Sequence, residues 1–105
     1  MNAAEKVDVY RAIADPTRRA ILDRLRAGGA PVNALAADFA QTRPAISKHL
    51  RVLKQARLVK EQRVGRERVY RLEPLPLQQV VGWLEGYRAM WQTNLDNLKR
   101  HVEKK

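Results

Sequence analysis

Ten lysines and arginines, at positions 43, 48, 51, 54, 57, 60, 63, 66, 68 and 71, face only Glu61 and Glu67 in the stretch from Arg43 to Arg71. The flanks are nearly balanced, with six basic and five acidic residues before that stretch and five and four after it. Eight of the ten net positive charges therefore sit in one segment, which is a surface suited to a polyanion. Cations gathered in this way steer phosphate backbones and supply sequence-independent affinity by releasing counterions. Catalysis has no comparable foothold. The absence of cysteine removes disulfides, thiolate-ligated zinc and cysteine nucleophiles. No paired carboxylates, metal cluster or nucleophile with a nearby base emerges, and Ser47 and His49, two apart on one helix, diverge. An enzyme is not expected.

The elements that must carry this charge can be read from spacing. The 105 residues suit one domain, 1–105, that pairing with a second copy would help stabilise. No apolar run is long enough to span a bilayer, and the start MNAAEKVDVY lacks the regions of a signal peptide, so a cytoplasmic location and no membrane partner are expected. Val7, Tyr10, Ile13 and Ala14 predict a first helix that stops at Asp15-Pro16. Asp15 is placed to cap a second helix with Ile21, Leu22 and Leu25 as its buried stripe, ended by Gly28-Gly29. Val32, Leu35, Ala36 and Phe39 predict a short third helix, with Asp38 off the stripe. After Ala40-Gln41, Thr42 is placed to cap RPAISKHLRVLKQA, with Pro44 in the first turn. At about 100° per residue, Ile46, His49, Leu50 and Leu53 of this fourth helix point one way, and Arg43, Pro44, Ser47, Lys48, Arg51 and Gln55 the other.

Leu58–Val64 and Glu67–Leu72 are β-prone runs joined through Gly65-Arg66, a hairpin with a tight glycine turn. Beyond Pro74 and Pro76, apolar residues recur at 77, 80, 84, 87, 91, 95, 98 and 102, the pattern of one long helix. At 1.5 Å per residue it would extend roughly 40 Å, more than this domain can cover with its own helices. The expected fold is mainly α with a β-hairpin wing: a winged helix-turn-helix with five helices and dimerising terminal helices. Its parts are a helix-turn-helix over 32–56, a wing over 58–72 and a dimerisation helix over 76–103.

DPTRRAILDRL, TRPAISKHLRVLKQARLV and GRERVYRLEP resemble the corresponding segments of ArsR/SmtB-type winged-helix repressors of bacteria, and the resemblance covers about residues 8 to 100. It implies a homodimer built from the first and last helices, two recognition helices in successive major grooves of double-stranded DNA, and repression by occupying a promoter operator. The base-reading positions it implies are Thr42, Arg43, Pro44, Ser47 and Lys48. Their chemistry suits the role: Arg43 and Lys48 can donate to guanine O6 and N7, Ser47 can pair with several base edges, and the carbons of Pro44 and Ala45 can touch a thymine methyl. Arg51, Lys54, Arg63, Arg66 and Arg68 are better placed for phosphate, which holds register without choosing sequence. The dimerisation residues are Tyr10, Leu84, Tyr87, Trp91, Leu95 and Leu98.

Departures from the family pattern carry information too. Metal-sensing members hold a cysteine motif at the stretch equivalent to Pro31, Val32 and Asn33, where this chain has no thiol. The other common metal site would need a pair of histidines on the last helix, which offers only Asp96, His101 and Glu103. A non-metal-sensing member with no cofactor is expected, and His49 reads as a packed or phosphate-contacting side chain. Trp83, Tyr87 and Trp91, four apart, form an aromatic ladder suited to a dimer core, a small hydrophobic effector being its lesser use. Two other readings fit parts of the chain: a structured-RNA binder using the same wing, and a helical protein-interaction adaptor. The first lacks an aromatic pair on a sheet for stacking bases, and the second leaves the capped turn at Thr42 to Ser47 unexplained.

Overall fold

The structure, a computed structural model, is described over residues 7–103; the reading of the chain's start and the ends of the expected 1–105 domain lie outside the described residues. In chain order the elements are α1 (Val9–Ala12), α2 (Pro16–Leu25), β1 (Ala30–Pro31), α3 (Val32–Asp38), α4 (Arg43–Gln55), β2 (Val59–Val64), β3 (Glu67–Leu72), a 3-10 turn (Leu75–Leu77) and α5 (Gln78–Glu103). This is the mainly helical winged helix-turn-helix that the sequence implies, with two corrections.

The first concerns α1, which is one turn rather than a helix from Val7 to Ala14. The carboxylate of Asp8 caps its start by accepting from the Arg11 amide, and Asp15 already caps α2, accepting from the Arg18 amide at 2.9 Å. Two aspartate caps seven residues apart leave room for one turn. The carbonyls it leaves open are taken by α2: Arg18 Nε donates to the Ala12 oxygen and Arg19 to the Ile13 oxygen, each at 2.7 Å.

The second correction is β1, a two-residue strand that the sequence reading did not anticipate. It pairs antiparallel with β3, Ala30 opposite Tyr70 and Pro31 opposite Val69, giving the sheet order β1-β3-β2. Such a short strand containing proline has no alternation to recognise. Its position depends on Gly29, where a Cβ would stand 2.8 Å from Cγ1 of Val69. Only a residue without a side chain lets the loop lie this close to β3.

Both helices of the helix-turn-helix end in the same way. Ala40, just past α3, takes the left-handed conformation at φ 51°, with Ala40 N–H donating to Ala37 O and Gln41 N–H to Ala36 O. Arg57, just past α4, does so at φ 62°, with Arg57 N–H donating to Lys54 O and Leu58 N–H to Leu53 O at 2.9 Å. These are Schellman closures, and the second carries the usual apolar contact, since Leu53 and Leu58 are both fully buried. Neither closure uses the customary glycine.

The core lies where α2, α3, α4 and the base of the hairpin meet. Its largest fully buried side chains are Ile21, Leu35, Ile46, Leu50, Leu53 and Leu58. Each contributes about 1.5–3 kcal/mol of apolar transfer. The 3-10 turn and the start of α5 rest on this core through Leu77 and Val80. The helix then departs from the domain, which gives the molecule a longest dimension of 63 Å.

Candidate nucleic-acid interface

The start of α4 is fixed by Thr42, whose hydroxyl accepts from the Ala45 amide at 3.2 Å, and by Pro44 in a first turn that needs no donor. From this anchor the 13-residue helix divides cleanly. Ile46, Leu50 and Leu53 are fully buried, whereas Thr42, Arg43, Pro44, Lys48 and Arg51 are exposed and Ser47 is half-buried. His49 belongs to the inward side. Its Nδ1 lies 4.0 Å from the Asp15 carboxylate and has no hydrogen-bond partner among the described residues. The Asp15 carboxyl is held below the ordinary aspartate range mainly by the hydrogen bond from the Arg18 amide, against the raising effect of burial, with the charge of His49 a smaller lowering contributor.

The wing stands beside this face. Val64 pairs with Glu67, so Gly65 and Arg66 make the whole turn, and Gly65 takes φ 62°. A positive φ at the first turn position alone is the pattern of a type II′ hairpin, whose twist suits the strands. Arg63, Arg66 and Arg68 are all exposed. Between α4 and the wing lies a notch of about 440 Å³ that brings Arg43, Ser47, Arg66 and Arg68 together, with Asn33 at its side. Arg51 and Lys54 do not line the notch; they lie farther along α4, and Lys54 reaches a different group.

That group is Glu61. Its carboxylate accepts from Lys54 Nζ at 3.0 Å, from Arg68 at 3.3 Å and from the Tyr70 hydroxyl at 2.9 Å. The hydrogen bond from Lys54, then that from Tyr70, with Arg68 assisting, pull its pKa from the ordinary 4.5 down to about 2 against the effect of burial. Burial and the bond to Glu61 push the Tyr70 phenol up. Two of the five expected phosphate contacts thus share one acid, which the sequence reading counted only as a stray negative charge. The signal was present in the register: a two-residue turn at Gly65-Arg66 places Glu61 opposite Tyr70.

Along α1 and α5, Tyr10, Tyr87, Trp91, Leu95 and Leu98 are exposed and Leu84 is half-buried. Tyr10, Trp83, Tyr87 and Trp91 form a continuous row with ring centroids 6.0, 5.4 and 6.5 Å apart. Among the described residues, no group of three or more His, Cys, Asp or Glu is placed to hold a metal ion, and no helix is long and apolar enough to cross a membrane.

A basic helix sealed on one side and flanked by an arginine-bearing hairpin defines a winged helix-turn-helix DNA-binding domain. Residues 13–62 match a helix-turn-helix domain family. The chain is 52% identical over 68 residues to the HTH-type transcriptional regulator Rv2034 of Mycobacterium tuberculosis, a match covering 65% of this chain and 64% of that protein. It is 40% identical over 80 residues to the transcriptional repressor SdpR of Bacillus subtilis, covering 76% of this chain and 89% of the repressor. The ArsR-like transcriptional regulator from Rhodococcus sp. RHA1 superposes with a TM-score of 0.69 at 35% identity over 92% of each chain. The homodimeric winged helix-turn-helix DNA-binding domain of a possible ArsR-family regulator from Mycobacterium bovis superposes with a TM-score of 0.63 at 27% identity, over 77% of this chain and 75% of that one. The chain belongs to the ArsR/SmtB family of winged helix-turn-helix transcriptional regulators.

Proposed function

We propose that the protein acts in the cytoplasm as a homodimeric repressor that occupies a pseudo-palindromic operator in duplex DNA. The observation that carries this is the division of α4, with Ile46, Leu50 and Leu53 sealed inward and Arg43, Lys48 and Arg51 presented outward beside the wing. Thr42, Arg43, Pro44, Ser47 and Lys48 read base edges. Arg51, Lys54, Arg63, Arg66 and Arg68 grip phosphate. The apolar row from Tyr10 to Leu98 along α1 and α5 pairs two copies, a reading supported by the homodimeric state of the Mycobacterium bovis neighbour. Repression is supported by the name of the Bacillus subtilis relative. With no thiol and no second histidine on α5, the chain lacks the ligand sets of the family's two common metal sites, which supports a member that does not sense metal.

Selection of bound fragments from a random duplex library tests the proposal. The expected result is a palindrome with half-site centres about 34–36 Å, one helical turn, or a small multiple apart, because two-fold protein symmetry imprints itself on the site. Recovery of no shared sequence, or of isolated half-sites without symmetry, would refute it.

A further inference from the structure

We infer that Glu61 is an internal competitor for the DNA backbone, a built-in anion that holds Lys54 and Arg68 to the protein's own wing and restrains sequence-independent affinity. The inference rests on the DNA-binding reading above and adds a regulator of its strength. Glu61 comes from β2, Lys54 from the last turn of α4, and Arg68 and Tyr70 from β3, so one carboxylate gathers donors from two elements besides its own. The acid is tucked in, its side chain 18% exposed, while the two cations above it remain 55% and 67% exposed. Both can still be reached by a phosphate, and each would have to be shared with Glu61 or released from it.

Position supports the same conclusion. Glu61 lines the notch with Arg43 and Ser47, and it lines a smaller cavity with Arg63 and Arg68. It therefore lies on the face that meets nucleic acid rather than behind it. Non-specific binding is almost wholly a matter of phosphates neutralised and counterions released. A fixed carboxylate among the phosphate contacts lowers that number without touching any base-reading side chain. A regulator competing against a genome of random sites gains from such restraint, since free protein is otherwise lost to them.

The test is a salt titration of binding to a random-sequence duplex by the full chain and by Glu61→Gln, with thermal midpoints confirming that each variant is folded. Glu61→Gln is expected to bind about tenfold tighter at near-physiological salt and to steepen the slope of log K against log salt by up to about 1.8 per protomer, the release from two phosphates. Removing the two released cations with Lys54→Gln and Arg68→Gln in the Glu61→Gln background should abolish the gain. Tyr70→Phe, which removes a hydrogen bond but no charge, should leave the slope at its wild-type value. Unchanged or weaker binding by folded Glu61→Gln, with an unchanged slope, would overturn the inference while leaving the DNA-binding reading intact. Absence of salt-dependent duplex binding by the wild type would overturn both.

Discussion

The ring of Tyr10 meets Trp83 edge to face at 6.0 Å, and the Tyr10 hydroxyl donates to the Gln79 carbonyl at 3.1 Å. This contact fastens the single turn of α1 to the base of α5. Past it, α5 has little to rest on: Met90, Trp91, Leu95, Leu98 and Val102 are between 48% and 61% exposed. An apolar seam this exposed suits a partner, and its residues stand outside the domain core.

Assembly and folding should accordingly separate. Leu95→Glu is expected to convert the dimer to a monomer in sedimentation, because a charge is placed in the middle of the apolar row. Its helical circular dichroism from the domain core should persist. A dimer undiminished by this change would show that the pairing surface lies elsewhere.

Base reading and phosphate gripping should also separate. Arg43→Ala is expected to cost about 1–3 kcal/mol on the selected operator and relax its preference there, whereas Arg66→Ala should weaken all sequences alike. Comparing operator and random duplex for both variants checks this. Equal losses from Arg43→Ala on both would mean that the reading face is misassigned.

Salt is the simplest probe of the charged segment. If each protomer neutralises four phosphates, the dimer should show a slope of log K against log salt of about −7 on duplex DNA. A slope near zero would contradict the electrostatic account.

The Glu61 cluster sets an acid dependence. Its folded pKa, about 2, lies below the ordinary 4.5, so its stabilising contribution is complete above that ordinary value and is lost as the pH falls from about 4.5 through about 2. The stability difference between wild type and Glu61→Gln in urea should be greatest at neutral pH and close over that window. A gap that widens on acidification would reverse the assigned sign.

Ala40 stores strain between α3 and α4. A left-handed alanine costs roughly 1–2 kcal/mol, and glycine gives back part of the gain in chain entropy. Ala40→Gly is expected to raise stability by about 1 kcal/mol in chemical denaturation, with no change in duplex affinity. Destabilisation would mean that the Ala40 side chain contributes packing that outweighs its backbone strain.

Where a local rule decides, the sequence was legible. Asp15 and Thr42 cap the helices they were expected to cap, the stripes of α2 and α4 are buried, and the turn at Gly65-Arg66 falls where the strands predict it. What escaped was decided by distant partners. Strand β1 exists because Gly29 lets the loop settle against Val69, and Glu61 acquires its meaning from Lys54 seven residues away and Tyr70 across the hairpin. Tyr10 is expected in the dimer seam, but on a helix longer than the two aspartate caps permit, and its contacts to Trp83 and the Gln79 carbonyl leave no local trace in the sequence. Charge counts along a chain locate a surface, but they do not say which cations are already engaged.

The two closures at Ala40 and Arg57 clamp α4 at both ends while its outward side chains bear almost none of the packing. Scaffold and address are thus written on separate halves of one rod. Exchanging a handful of outward residues should retarget the protein to another site with the frame untouched, so new specificities are within easy evolutionary reach and open to grafting.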